Sequence, residues 1–132
     1  MDARLTVEKL LRIEPGEAHV IRNAGAIVTD DVMRSLIIST RLLGTREIAV
    51  IGHTACGLLR LDEDAARGRI SRDSGGGVAV PPLGAFASLE DHLAEQLRRL
   101  VGHRLLPRGL ELTATAYEVE TGRLREVLTA AT

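Results

Sequence analysis

Apolar residues follow two alternating rhythms along this chain, short unbroken runs and stripes spaced by three or four. The alternation predicts an α/β domain, a mostly parallel β-sheet flanked by helices with a C-terminal antiparallel hairpin. A short helix is expected over residues 6–12 with Thr6 as N-cap, after which Pro15-Gly16 turns the chain into a strand over 19–21. The clearest helical stretch is 29–43. Asp30 and Asp31 fill its first turn, Val32, Leu36 and Leu43 share a face, and Gly44 supplies the stop. Residues 47–51, Glu47-Ile48-Ala49-Val50-Ile51, form the apolar run expected of a strand covered on both faces.

Beyond that strand, 58–67 reads as a helix, and 68–84, with Gly75-Gly76-Gly77 and Pro81-Pro82, reads as a flexible surface insertion. A helix resumes at Ser88, with Asp91 as capping-box partner and Leu89, Leu93, Leu97 and Leu100 at helical spacing; Gly102 and Pro107 end it. Alternation over 110–120, the Thr121-Gly122 turn and 124–128 predict the terminal hairpin. No internal repeat interrupts the pattern, and 1–132 reads as a single domain.

Composition narrows what such a domain does. With 45% hydrophobic but only 2% aromatic residues, the core must be built from Leu, Ile, Val and Ala. Seventeen basic and 18 acidic residues are interspersed, leaving a net charge of -1 and no basic stripe. Nucleic acid and anionic membranes are therefore not expected as partners. A single cysteine makes no internal disulfide, and neither a leader pattern nor an apolar run of membrane-spanning length is present, so a reduced, cytoplasmic, soluble protein is expected.

That cysteine closes the most informative segment, Gly52-His53-Thr54-Ala55-Cys56-Gly57, directly after the apolar strand. Ligands collect at the C-terminal ends of parallel strands. His53 and Cys56, three positions apart on a strand-to-loop turn, can offer an imidazole nitrogen and a thiolate to one ion, and zinc accepts both. The pair alone is equally compatible with a buried Cys and a surface His. Asp2 can add a carboxylate, and Arg4, on the same side of an extended segment, can orient it through a bidentate pair. Other candidates read more plainly. His19 reads as packed or surface, His92 and His103 as solvated, and Gly75-Gly76-Gly77 lacks the Lys-Ser/Thr of a phosphate loop.

Four segments together resemble the β-class carbonic anhydrases: Met1-Asp2-Ala3-Arg4, Arg22-Asn23-Ala24-Gly25, Gly52-His53-Thr54-Ala55-Cys56-Gly57 and Val119-Glu120-Thr121-Gly122. The likeness spans nearly the whole chain and is nearest to a short actinobacterial-type branch. It implies zinc-dependent, reversible hydration of carbon dioxide to bicarbonate, with His53 and Cys56 as zinc ligands. Asp2 would either be a further ligand in a closed state or pair with Arg4 in an open one. Arg22-Asn23-Ala24-Gly25 would brace that pair, and a homodimer or multiple of dimers is implied. Related enzymes acting on carbon disulfide or carbonyl sulfide share these motifs. A catalytically silent binding or oligomerisation module without zinc is the alternative.

In the family a zinc-binding Cys stands immediately before the residue that is Met1 here, at the end of a first strand lying between the 19–21 and 47–51 strands. The sequence as given is thus expected to be truncated at its N-terminus. Without that strand, two facing rows of backbone groups would lack partners, at roughly 1–3 kcal/mol for each buried one. Several would rival the roughly 5–15 kcal/mol that stabilises a domain. Asp2, His53 and Cys56 alone are expected to bind zinc weakly.

Overall fold

The computed structural model describes residues 1–132. Helix α1 (Val7–Leu11) and a 3-10 turn (Ala24–Ala26) precede α2 (Asp30–Arg41), strand β1 (Glu47–His53), α3 (Glu63–Asp73), α4 (Leu89–Leu100) and the strands β2 (Glu111–Glu118) and β3 (Arg123–Ala131). The sheet has the order β1-β2-β3; β1 runs parallel to β2, and β3 antiparallel to it with a bulge between Ala114 and Thr115. The expected α/β architecture is present, as a mixed three-stranded sheet.

Local chemistry accounts for the helix starts. Thr29 accepts the Val32 N–H with its side chain, Asp62 accepts that of Ala65 and Ser88 that of Asp91, each satisfying a donor left free in a first turn. Helix α4 then lays Leu89, Leu93, Leu97 and Leu100 on the sheet, where Ile48, Val50, Leu110, Leu112, Ala114 and Ala116 complete the core. Gln96, buried on the same face, is satisfied by accepting the Val28 N–H at 2.9 Å. Gly52 makes the approach possible. A Cβ there would stand 2.9 Å from Leu89 Cδ1 and 3.1 Å from Leu93 Cδ2.

Four expectations need correction. Residues 19–21 form no strand; they line a cleft of about 950 Å3 that residues 44–53 also line, and no ladder joins the two segments. Strands exist only with partners, and apolar sequence does not supply one. Consequently β1 is an edge rather than a strand covered on both faces, with Ile48, Val50 and Gly52 buried and Glu47 and Ala49 exposed. Its free edge borders a cleft roomy enough for water to satisfy backbone groups.

The helix expected over 58–67 begins only at Glu63, because Leu58 and Arg60 bond instead to the Phe86 backbone and Asp62 takes the N-cap position; it runs on through Gly68 to Asp73. Nor is 68–84 loosely held. Glu63 accepts the Leu83 and Ala85 N–H groups at 3.0 and 2.9 Å, while Arg67 and Ser71 donate to the Val80 and Val78 carbonyls. The Ala85 and then the Leu83 N–H bond hold the Glu63 carboxyl below its usual range.

Leu97→Ala is expected to lower stability by about 2–5 kcal/mol through the cavity it leaves. Gly52→Ala should cost about 1–3 kcal/mol by overpacking, and the exposed Leu105→Ala less than about 0.5 kcal/mol. Urea unfolding followed by circular dichroism ranks the three.

Candidate metal centre

At the C-terminal end of β1 the chain leaves the sheet through a turn that carries His53 and Cys56, as their spacing predicted. His53 is mostly buried, and its Nδ1 lies 2.8 Å from the Thr54 carbonyl oxygen. A carbonyl only accepts, so this contact places the proton on Nδ1 and leaves Nε2 with its lone pair. Nε2 faces Asp2 Oδ2 at 3.7 Å. Cys56 is half-buried and free.

The Asp2-Arg4 pair forms, though on a turn closed by Leu5 N–H to the Asp2 carbonyl rather than on an extended segment. Arg4 donates to the carboxylate from its backbone N–H (2.9 Å), from Nε to both oxygens (3.0 and 3.1 Å) and from Nη2 (2.6 Å). These side-chain bonds, then the backbone bond, hold the Asp2 carboxyl far below its usual range, and the carboxylate in turn raises Arg4. Asp2 is thus an acceptor-only carboxylate with its neighbouring cation fixed.

Residues 22–25 brace this corner. Arg22 Nη2 donates to the Asp2 carbonyl at 2.6 Å, and the Met1 ammonium to the Asn23 carbonyl at 2.8 Å. Asn23 exchanges two bonds with Ile27 across the 3-10 turn. Gly25, at φ +77°, serves twice there, since a Cβ would also stand 2.9 Å from Leu58 Cδ1. His92 is not a solvated residue. Its ring stacks on Phe86 with centroids 4.2 Å apart, and Nε2 lies 2.7 Å from the Gly25 carbonyl, tying α4 to the bracing turn. His19 is exposed, and its Nδ1 lies 2.8 Å from the Oγ of the buried Ser39.

Thr54 and Glu120 stood in the motifs without a role. The Thr54 hydroxyl accepts the Val119 N–H at 2.9 Å and donates to Glu120 Oε2 at 2.8 Å. Ala55 follows at φ +50°, a left-handed conformation costing a non-glycine residue about 1–3 kcal/mol. Its carbonyl accepts Arg4 Nη2 at 3.3 Å. No spacing in the sequence links positions 54 and 120; only the parallel register of β1 and β2 does.

Imidazole and thiol are the donor chemistry zinc takes, but a zinc site uses four ligands. No group of three or more His, Cys, Asp or Glu side chains converges closely enough to hold a metal ion. With Asp2 paired to Arg4, the His53 imidazole and the Cys56 thiol are of the donor types that could hold such an ion, and together they would make half of a ligand set.

Comparison with known proteins extends these observations. The carbonic anhydrase family model matches residues 1–73. The chain is 45% identical over 127 residues to beta-carbonic anhydrase 1 of Mycobacterium tuberculosis, covering 96% of this chain and 77% of that protein. It is 38% identical over 153 residues to a carbon disulfide hydrolase of Acidianus, covering 96% and 73%. Among solved structures, the carbonic anhydrase of Streptococcus mutans superposes with a TM-score of 0.90 at 38% identity, covering 97% of this chain and 77% of that one.

Replacing Arg4 by Met should return the Asp2 carboxyl toward its ordinary 3.8. A carboxyl depressed by folding stabilises the protein above that ordinary value and loses the contribution as pH falls toward the depressed one. Carboxyl 13C shifts across an acid titration read this out: Asp2 should titrate well below the other aspartates in the native chain and among them in Arg4→Met.

Proposed function

Because the chain belongs to the β-class carbonic anhydrase family, we propose that it carries the machinery for reversible hydration of carbon dioxide to bicarbonate at the end of β1. The observation that carries this reading is the meeting of His53 Nε2 and the Asp2-Arg4 pair at one corner, with Cys56 on the same turn. Zinc is the implied cofactor, and His53 and Cys56 would hold it. Bound zinc brings the pKa of a water to about 7 and so supplies hydroxide at neutral pH.

The chain's own residues do the positioning. Asp2, ionised and able only to accept, takes a hydrogen bond from the attacking water and aims its lone pair at the substrate carbon. Arg4 keeps Asp2 in that role by occupying both of its oxygens. The water oxygen bonds to carbon, one carbon–oxygen π pair moves onto oxygen, and a proton departs to solvent, giving bicarbonate. Asp2 thus takes the open-state role of the two that the family resemblance implies; its ligand role requires Arg4 to let go.

The similarity to a carbon disulfide hydrolase keeps a second linear heterocumulene in view as substrate. The higher identity to a carbonic anhydrase favours carbon dioxide. A silent module without zinc needs no contact between His53 and the Asp2-Arg4 pair, and that contact weighs against it. A lone half-buried thiol suits the reducing cytoplasm, and no helix is long and apolar enough to cross a membrane. Val20, Ile21, Leu42 and Leu43 leave apolar surface exposed, which fits assembly as a homodimer or multiple of dimers.

These 132 residues, offering half a ligand set, should hold zinc weakly and hydrate carbon dioxide slowly. Stopped-flow measurement with added zinc should find a low rate that His53→Ala and Cys56→Ser each abolish. A rate untouched by both substitutions would contradict the assignment.

A further inference from the structure

Thr54 is held on three sides. Its N–H donates to the Tyr117 carbonyl at 2.9 Å, extending the β1-β2 ladder one residue past the strand. Its hydroxyl is fixed in direction, because the Val119 N–H can only donate and the Glu120 carboxylate only accept. Its carbonyl lies 2.8 Å from His53 Nδ1. The peptide that carries this carbonyl is shared with Ala55, whose φ is +50°.

Rotation of that peptide links two events. Flipping it would move Ala55 out of the left-handed region and relieve its strain, and the same motion would turn the Thr54 carbonyl away from the imidazole. The turn therefore has an internal reason to flip, and the Thr54 hydroxyl, clamped between β2 and Glu120, opposes it. Glu120 is kept ionised first by the bond from Thr54, with Arg4 adding to the effect, so the clamp is charge-assisted.

We infer that Thr54, anchored by Glu120, is a positioning residue that locks the His53 ring with its proton on Nδ1 and Nε2 turned to the metal position, and holds the Ala55 carbonyl under Arg4. Thr54 reaches no substrate; it acts through His53 and Arg4. The inference rests on the reading of His53 as a metal ligand, while the tautomer it predicts exists without metal. Outer partners that orient a ligating histidine typically change metal affinity by about 10–100-fold when removed.

The experiment uses the full chain. Proton–nitrogen correlations of the histidine rings, with His53 assigned by comparison with His53→Gln, report the tautomer in metal-free protein, and cobalt(II) titration reports affinity. In the native chain His53 should be entirely the Nδ1–H form. Thr54→Val should give a mixture of tautomers and weaken cobalt binding about 10–100-fold. Thr54→Ser, which keeps the hydroxyl, should restore both, and Glu120→Ala, at an exposed position, should shift both part of the way without disturbing the fold. An unchanged His53 tautomer in Thr54→Val and Glu120→Ala would overturn the inference. Failure of the native chain to take up cobalt would remove the metal reading of His53, and the tautomer would still decide the role of Thr54.

Discussion

The close approach of α4 to β1 fixes the candidate centre in space. Gly52 lets Leu89 and Leu93 lie against the strand one residue before His53, so the turn that carries Cys56 leaves the sheet directly from the core. Strand β2 lies beneath the same helix, with Leu112, Ala114 and Ala116 wholly buried. The registers that bring Gly52 opposite Ala116 and His53 opposite Tyr117 carry Val119 and Glu120 to Thr54. Packing of apolar side chains thereby sets polar geometry that no local preference encodes.

Charge completes what packing begins. Asp2 lies near the start of the chain, where residues are usually poorly held. Here Arg22 and Asn23 hold the backbone of Met1 and Asp2, and Arg4 holds the carboxylate. Such a carboxylate remains an acceptor under all ordinary conditions. Its neighbour Arg4 reaches past it to the Ala55 carbonyl, so the two halves of the site, the N-terminal turn and the β1 turn, are joined through one guanidinium. The chemistry inferred for the site needs both halves, since one supplies the donors and the other aims the water.

Much of this was legible in the sequence where local physics decides. The cap at Ser88, the leucine stripe of α4 and the Thr121-Gly122 hairpin follow from side-chain chemistry and period alone. The resemblance through His53, Cys56, Asp2 and Arg4 pointed to the corner where His53 approaches the Asp2-Arg4 pair. What escaped depends on partners distant in the chain. Residues 19–21 have strand-like composition but no strand to pair with, and 58–61 gives up helix for bonds to Phe86. Likewise, Glu63, 20 residues from Leu83, fastens a loop that composition marks as free, and His92 finds Phe86 and Gly25 where periodicity predicts solvent.

On the proposed function, the turn after β1 binds a metal through a thiolate and an imidazole while Asp2 stays with Arg4. X-ray absorption fine structure at the zinc edge of the metal-loaded chain tests it most directly. A sulfur scatterer at about 2.3 Å and an imidazole nitrogen at about 2.0–2.1 Å are expected, with the sulfur lost in Cys56→Ser. A shell of oxygen and nitrogen alone in the native chain, unchanged by Cys56→Ser, would contradict it.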